Sequence, residues 1–299
     1  MTKFKTWVSA ARLRTLPLSI AGILVGTALA RLEGHFSLSI FILALLTTLG
    51  LQVLSNFAND YGDGVKGTDN EDRIGPMRAI QSGIISHQEM KVGMILVSAF
   101  SLVMALLLIY TAFGSDKFLY SILFFLLGLA SIAAAIKYTV GKSAYGYRGL
   151  GDVFVFIFFG LVGVLGSHFL YVHYFHFINL LPAVSIGLLS TAVLNLNNMR
   201  DQESDTKAQK NTLVVYMGAA KAKKYHYVLI ILAFLGLVLF ILHSKNYLLA
   251  VSLLGFIPLF IHLKTIAKNT SPVLLDPELK KVALSTFAIA LLFLVLSLL

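Results

Sequence analysis

Cysteine is absent from this chain of 299 residues. Its absence excludes disulfides and thiol catalysis and leaves the redox compartment undetermined. Charge is scarce as well: charged residues make up 13% of the chain, against roughly a quarter in soluble domains. Hydrophobic residues make up 58% of the chain, and the mean hydropathy is +0.84. This composition excludes an ordinary soluble protein and indicates one built for a lipid bilayer.

Long apolar runs recur along the whole chain, and each has about 20 residues, enough to cross roughly 30 Å of hydrocarbon as a helix. The runs are continuous rather than alternating, so they predict helices and not barrel strands. The predicted spans are 13–31, 37–59, 91–112, 118–137, 152–170, 177–198, 225–243, 247–263 and 281–299. The fold class expected is an all-α membrane protein with nine transmembrane helices in a single domain, 1–299. Residues 1–30 also resemble a signal peptide, but the eight later spans favour a retained first helix.

The net charge of +10 follows from topology rather than from nucleic-acid binding. If the N-terminus is cytoplasmic and the spans alternate, only Arg31, Lys117 and Lys245 lie on the outer side, and the other 21 of the 24 Lys and Arg residues lie inside. That asymmetry is the positive-inside rule. We therefore expect no nucleic-acid partner, and a working face at the cytoplasmic surface.

The scarce acids are concentrated in two places. Five of the 14 Asp and Glu residues fall within NFANDYGDGVKGTDNEDR, residues 56–73, at the end of span 2. A second cluster, NLNNMRDQESD, ends span 6. Asp60 and Asp201 are 141 positions apart, which predicts a pseudo-repeat of two four-helix units followed by one extra helix.

Helical spacing places the members of each cluster on one face. They are Asn56, Asn59, Asp60 and Asp63 in the first cluster, and Asn198, Asp201 and Asp205 in the second. Oxygen ligands from Asp and Asn suit Mg²⁺ or Ca²⁺, and Mg²⁺ commonly joins carboxylates to substrate phosphates. Positive charge nearby makes the pattern typical of a site for a lipid diphosphate. The basic residues are Arg73, Arg78, Lys142, Arg148, Arg200, Lys207 and Lys210. The alternative is a pair of solvated loops, but duplication at matching points of the pseudo-repeat favours a site.

The loop YTVGKSAYGYRGLGD, residues 138–152, combines Tyr138, Tyr145 and Tyr147 with Lys142, Arg148 and Asp152. Such a loop can bind an aromatic anion or stabilise a carbocation through cation–π attraction. It equally fits an interfacial aromatic belt. Both interpretations stay open from the residues alone.

These motifs resemble the UbiA superfamily of intramembrane aromatic prenyltransferases over essentially the whole chain. That family has an Asn-Asp-x-x-Asp motif after its second helix, matched by Asn59, Asp60 and Asp63. A second motif, Asn-x-x-Asp-x-x-x-Asp after the sixth helix, is matched here from Asn198 to Asp205. Within the family, NDYGDGVKGTDNEDRIGPMRAIQSG most resembles the branch that acts on 1,4-dihydroxy-2-naphthoate in menaquinone synthesis.

The resemblance implies a chemistry and assigns roles. Mg²⁺ would be held by Asp60, Asp63, Asp69, Asp201 and Asp205, and the same carboxylates except Asp69 would be catalytic. Polyprenyl diphosphate and an aromatic acceptor would be the substrates. The protein would be an integral protein of the bacterial inner membrane, in contact with lipid, and its active site would face the cytoplasm. The residues assigned to substrate binding are Asn56, Asn59, Arg78, Tyr138, Lys142, Tyr145, Arg148 and Asn198.

The chain departs from the family pattern at three points. Gly67 stands where many members have a third motif Asp, a role that Asp69 takes here. GLGE becomes GLGD, ending in Asp152, and Gln209 replaces a Gly before Lys210. Two alternatives remain: another acceptor, such as 4-hydroxybenzoate or homogentisate, and a cation channel or secondary transporter. Transporter acids lie near the bilayer midplane, whereas these lie at helix ends.

Overall fold

The computed structural model describes residues 2–68 and 74–299, and within them the chain is helical without strands. Asp69, one of the expected metal ligands, lies outside these described residues. The helices are α1 Lys3–Ala10, α2 Leu16–Leu32, α3 Leu38–Lys66, α4 His87–Phe113, α5 Phe118–Lys137, α6 Gly151–Val172, α7 Phe177–Arg200, α8 Gln202–Lys207, α9 Leu213–Ser244, α10 Tyr247–Lys268 and α11 Pro272–Leu296.

Each of the nine predicted spans falls on one of these helices. Within the described residues, eight helices, α3 to α7 and α9 to α11, are long and apolar enough to cross a bilayer. The first predicted span is the shorter apolar helix α2, which has 17 residues. The prediction of an all-helical membrane protein is therefore confirmed. The described residues contain eight long apolar helices, against the nine spans predicted.

Helix ends follow from local sequence signals. Ser86 and Glu89 form a capping box that begins α4, in which each side chain satisfies the other's backbone N–H. Gly67, with φ +70°, ends α3 in the left-handed conformation that glycine adopts without a Cβ penalty. Pro17 lies in the first turn of α2, where its missing N–H costs nothing.

Close packing in the centre of the bundle depends on glycine. A Cβ on Gly26 would lie 1.8 Å from Ser167 Oγ and 2.3 Å from the Val164 carbonyl oxygen, and one on Gly22 would lie 2.6 Å from the Phe159 carbonyl oxygen. The Gly22–Gly26 spacing therefore lets α2 lie directly on α6. Along this contact α6 is a π-helix from Phe156 to Gly166.

The N-terminal helix α1 lies beside α3. The Trp7 ring packs on Phe57 with 5.1 Å between ring centroids, and a Cβ on Gly93 of α4 would lie 2.8 Å from the same indole. Arg12 then adopts φ 52°, a turn that aims the chain into α2. The packing of Trp7 therefore fixes α1 next to the first Asp cluster.

Candidate active site

The first cluster lies on one continuous helix, as its spacing predicts. Asn56, Asn59, Asp60 and Asp63 are all buried on α3, which runs past them to Lys66. The Asn56 Nδ2 donates to the Ala11 carbonyl oxygen at 2.9 Å and so ties the α1–α2 turn to this face. Asn59 Nδ2 donates to Asp63 Oδ2 at 3.1 Å.

Two arginines neutralise the Asp60 end of this cluster. Arg12 Nη2 donates to Asp60 Oδ1 and to Asn59 Oδ1, the latter at 2.6 Å. Arg78 Nη1 lies 3.5 Å from Asp60 Oδ1, and its Nη2 donates to Asn59 Oδ1 at 3.3 Å. The Ala79 N–H also donates to Asp60 Oδ2 at 3.4 Å. Arg78 was expected near this site; Arg12 is an additional cation there.

The second cluster differs from the continuous helix that its spacing suggested. Helix α7 ends at Arg200, and Asp201, with φ −96° and ψ 9°, joins it to the short helix α8. The i to i+4 backbone bonds from Asp201 N to Asn197 O and from Asp205 N to Asp201 O persist across this junction. Asp201 and Asp205 therefore still share one side, whereas Asn198 is buried away from the cavity and Asn197 lines it.

Lys210 connects the two clusters. Its Nζ lies 3.5 Å from Asp205 Oδ1 and 3.9 Å from Asp63 Oδ2, in a side chain that is only 10% exposed. Burial alone would lower the pKa of Lys210, but attraction to Asp63 and Asp205 outweighs it and raises the pKa. An ammonium group thus lies between one carboxylate of each motif.

Asp205 is compensated at one of its two oxygens only. Burial, followed by repulsion from Asp201 and Asp63, raises the pKa of Asp205 to about 6, although Lys210 acts in the opposite sense. Its Oδ2 is buried and has no hydrogen-bond partner among the described residues. A further cation would satisfy this oxygen, because an unpaired buried acceptor is costly.

Tyr147 supports the remaining oxygen of Asp63. Its hydroxyl donates to Asp63 Oδ1 at 2.7 Å and lies 2.6 Å from Thr68 Oγ1. Lys66 Nζ is 3.6 Å from the centroid of the same ring. Burial, together with the Asp63 charge, raises the pKa of Tyr147, so the hydroxyl keeps its proton and acts as a donor.

Aromatic rings line the cavity beside these groups. Tyr145 stacks on Phe154 with 3.8 Å between centroids, Tyr138 meets Tyr145 edge-on at 5.4 Å, and Phe158 follows Phe154 at 6.1 Å. Burial raises the pKa of Tyr138 to about 12. This row offers neutral ring faces to a flat or cationic ligand.

A cavity of about 500 Å³ joins the polar groups to an apolar interior. The expected site residues among its lining are Asn56, Asn59, Asp63, Arg78, Tyr138, Tyr145, Asp201 and Asp205. Asp60 is buried against Arg12 and Arg78. Lys142 and Arg148 are exposed and do not line the cavity. Apolar residues of α3, α4, α5 and α6 continue the lining away from the charged end.

The donor set fits a Mg²⁺ ion that shares its ligands with a substrate. Within the described residues, no three His, Cys, Asp or Glu side chains are close enough to enclose a metal. Magnesium is commonly held by one or two carboxylates, with waters and phosphate oxygens completing the octahedron. Asp63 and Asp205, separated by Lys210, and the unpaired Asp205 Oδ2 match that incomplete arrangement.

Comparison with known proteins agrees with this geometry. Residues 19–274 match the UbiA prenyltransferase family. A 1,4-dihydroxy-2-naphthoate octaprenyltransferase of Escherichia coli (strain K12) is 42% identical, covering 98% of this chain and 95% of that protein. The protein of the same name from Haemophilus influenzae is 46% identical over 91% of this chain and 90% of its own.

The chain belongs to the UbiA prenyltransferase family. The expectation of a prenyltransferase is thereby confirmed. The fold agrees with that of solved UbiA homologues from Archaeoglobus fulgidus. One has a TM-score of 0.63 at 18% identity and covers 96% of this chain and 98% of its own. Another, described as bound to GPP and Mg²⁺, has a TM-score of 0.61 at 18% identity, covering 95% and 99%.

Sequence reasoning missed or left unassigned several residues of this UbiA site. Arg12 precedes the first span, and its contact with Asp60 crosses 48 positions of sequence, which no local spacing reveals. The role of Lys210 was uncertain from its motif. Tyr147 is noticeable only as a third tyrosine near Tyr138 and Tyr145, and nothing in the sequence shows that it bonds Asp63.

Proposed function

We propose that this protein transfers a polyprenyl group from its diphosphate to 1,4-dihydroxy-2-naphthoate, releasing diphosphate and CO₂. The observation that carries the proposal is the convergence of both Asp motifs on Lys210 at the mouth of an apolar cavity. The acceptor is assigned from the names of relatives that are 42% and 46% identical over nearly the full chain.

The diphosphate of the donor would bind at the charged end. Arg12, Arg78 and Lys210 line that end of the cavity and supply positive charge for the phosphate oxygens. Asp60, Asp63, Asp201 and Asp205 would hold Mg²⁺, with Asn56 and Asn59 assisting and Asp69 as a further expected ligand. Bound Mg²⁺ supplies Lewis-acid withdrawal of electrons from the leaving diphosphate.

The reaction balances without an oxidant or reductant. The allylic C–O bond breaks and its electron pair leaves with diphosphate; a C–C bond forms between the allylic carbon and the electron-rich naphthol ring. The bond to the carboxylate then breaks as CO₂ leaves, and its electron pair returns to the ring. The ring faces of Tyr138, Tyr145 and Phe154 lie where they can stabilise the allylic cation and align the acceptor.

The membrane setting suits the remaining part of the substrate, its polyprenyl tail. The polyprenyl tail is apolar and would occupy the apolar continuation of the cavity, while its diphosphate stays at the surface. We place the protein in the bacterial inner membrane with this charged end facing the cytoplasm, since the positive-inside asymmetry supports that orientation.

The test uses purified protein in detergent with Mg²⁺ and a long allylic diphosphate. 1,4-Dihydroxy-2-naphthoate and 4-hydroxybenzoate are supplied in parallel, and prenylated product and CO₂ are followed by mass spectrometry. We expect naphthoate product with CO₂, abolished by EDTA and by Asp60→Ala. Product from 4-hydroxybenzoate alone would overturn the acceptor, and no product from either acceptor with folded protein would count against the reaction.

A further inference from the structure

Arg200 links the second Asp motif to the start of α11. Its Nε and Nη2 donate to the two oxygens of Asp201 at 2.8 and 2.7 Å, the paired geometry that gives arginine–carboxylate bonds their strength. Its Nη1 donates to Asp276 Oδ1 at 2.6 Å. The Arg200 side chain is 1% exposed and that of Asp276 is 37% exposed, so the buried guanidinium shares its charge between Asp201 and a carboxylate that reaches the surface.

A second polar chain begins one turn later on α11. Lys281 Nζ donates to Glu278 Oε1, and Glu278 Oε2 contacts His262 Nδ1. His262 Nε2 lies 2.8 Å from His226 Nε2, and His226 Nδ1 lies 3.4 Å from Asn195 Nδ2. This chain therefore crosses from α11 through α10 and α9 to α7, the helix that ends at the second motif.

The ends of that chain fix its direction. A carboxylate only accepts, so His262 Nδ1 carries the hydrogen, and the Asn195 amide nitrogen only donates, so His226 Nδ1 is bare. His226 Nε2 must then donate to His262 Nε2. A second proton on either ring would make two N–H donors point at each other. Both buried imidazoles are therefore neutral, and the hydrogen bonds of the chain have a single arrangement. It holds α11 in register with α7.

We propose that Asp276 is a positioning residue that acts through Arg200 to keep Asp201 available to a metal ion. Asp276 compensates part of the Arg200 charge. Without that carboxylate, the full guanidinium charge would face Asp201 and oppose a cation there. For this purpose Asp276 must stay in one position. The polar chain that runs from Lys281 and Glu278 to Asn195, here called the Glu278 chain, fixes the helix that carries it. This inference rests on the proposed function, since it presumes a metal at the second motif.

The test measures metal binding in the absence of substrate. Mn²⁺ is titrated into purified substrate-free protein, and free Mn²⁺ is followed by electron paramagnetic resonance. Asp276→Asn keeps the shape and an oxygen that accepts from Arg200, but it removes the charge. We expect the Mn²⁺ Kd to rise about tenfold, with Tm within a few degrees of the unchanged protein. The Mg²⁺ concentration for half-maximal turnover should rise in parallel while kcat at saturating Mg²⁺ is retained.

Two controls separate charge from structure. Asp116→Asn makes the same charge change in an exposed loop at the opposite end of the bundle, and Asp276→Glu keeps the charge; both should leave Kd within twofold. A Kd for Asp276→Asn within twofold of the unchanged protein would overturn the inference, as would a fall in Tm without a change in Kd. If Asp276→Asn does not fold, Asp276→Ser takes its place with the same expected rise, and a Kd for it within twofold of the unchanged protein would overturn the inference as well.

The proposed function fails in a different way. If Mn²⁺ binds equally to the unchanged protein and to Asp205→Ala, the carboxylates of the second motif are not its ligands. That result removes the premise of a metal ion at the second motif. If instead Mn²⁺ binding depends on the carboxylates but is unchanged in Asp276→Asn, only this inference is removed.

Discussion

At the scale of single residues, the site depends on a few hydrogen bonds to carboxylates. Tyr147→Phe removes only the hydroxyl that donates to Asp63 Oδ1 at 2.7 Å. A hydrogen bond to a charged group contributes about 1.5–3 kcal/mol to stability, so its loss should lower Tm by several degrees, and because Asp63 is then less firmly held we expect kcat/KM to fall roughly tenfold. Steady-state kinetics in saturating Mg²⁺ check this. Tyr216→Phe, on an exposed ring, is the matched control, and equal activity in both variants would contradict the role of Tyr147.

Lys210 is the second residue whose removal gives a distinctive result. Lys210→Met leaves Asp63 and Asp205 facing each other without the ammonium between them. Breaking a buried pair costs about 3–5 kcal/mol, so Tm without metal should fall. A ligand stabilises the state that binds it. Added Mg²⁺ should therefore raise Tm more than in the unchanged protein, because in the variant no ammonium group offsets the two carboxylates.

Differential scanning fluorimetry with EDTA and with Mg²⁺ measures both effects of this substitution. Lys207→Met, on an exposed side chain one turn earlier, should behave like the unchanged protein. If Lys210→Met has the same Tm as Lys207→Met under both conditions, the ammonium does not offset the carboxylates.

At the scale of elements, close helix contact makes some glycines irreplaceable. Gly26→Ala would place a methyl group 1.8 Å from Ser167 Oγ and 2.3 Å from a backbone oxygen. Overpacking of this kind costs about 1–3 kcal/mol, so we expect a lower Tm and poorer yield. Gly128→Ala meets only Ala105 Cβ at 3.9 Å and should be neutral in the same thermal unfolding measurement. An equal loss in both variants would instead indicate a general helix effect.

The Glu278 chain provides another element-scale prediction. Glu278→Gln keeps the side-chain shape, but only its amide oxygen can accept, so either Lys281 or His262 loses its acceptor. We expect a lower Tm because the buried histidine pair loses its anionic end, and a Mn²⁺ Kd that rises less than in Asp276→Asn because Asp276 keeps its charge. A Kd raised more than in Asp276→Asn would mean that this chain, and not Asp276, tunes the second motif.

The elements were also the part that the sequence predicted best. All nine apolar runs fall on helices, because a continuously apolar run in hydrocarbon satisfies its own backbone hydrogen bonds only as a helix. The first Asp cluster follows its helical spacing because α3 continues past it to Lys66. The second does not follow it fully: the junction at Asp201 depends on Arg200, Asn197 and the distant Asp276. Contacts with Arg12 and Lys210 arise only when separate helices meet, and no local pattern encodes them.

At the scale of the whole molecule, the proposed orientation can be measured directly because the chain has no cysteine. Ser115→Cys lies in the α4–α5 loop and Thr270→Cys in the α10–α11 loop, both at exposed positions. In spheroplasts, an impermeant maleimide should label the Ser115 variant at once and the Thr270 variant only after permeabilisation. The reverse pattern would place the charged end of the cavity outside the cell.

The position of α1 beside the first Asp cluster has a consequence for the fluorescence of the protein. Trp7 is the only tryptophan in the chain; it packs on Phe57, and its helix leads within five residues to Arg12, whose guanidinium contacts Asp60. Ultraviolet excitation near 295 nm therefore reports on a single indole, positioned at the edge of the first motif. Any ligand that displaces Arg12 from Asp60 and shifts α1 should change the wavelength or intensity of its emission, so the unlabelled protein carries its own fluorescent indicator of occupancy.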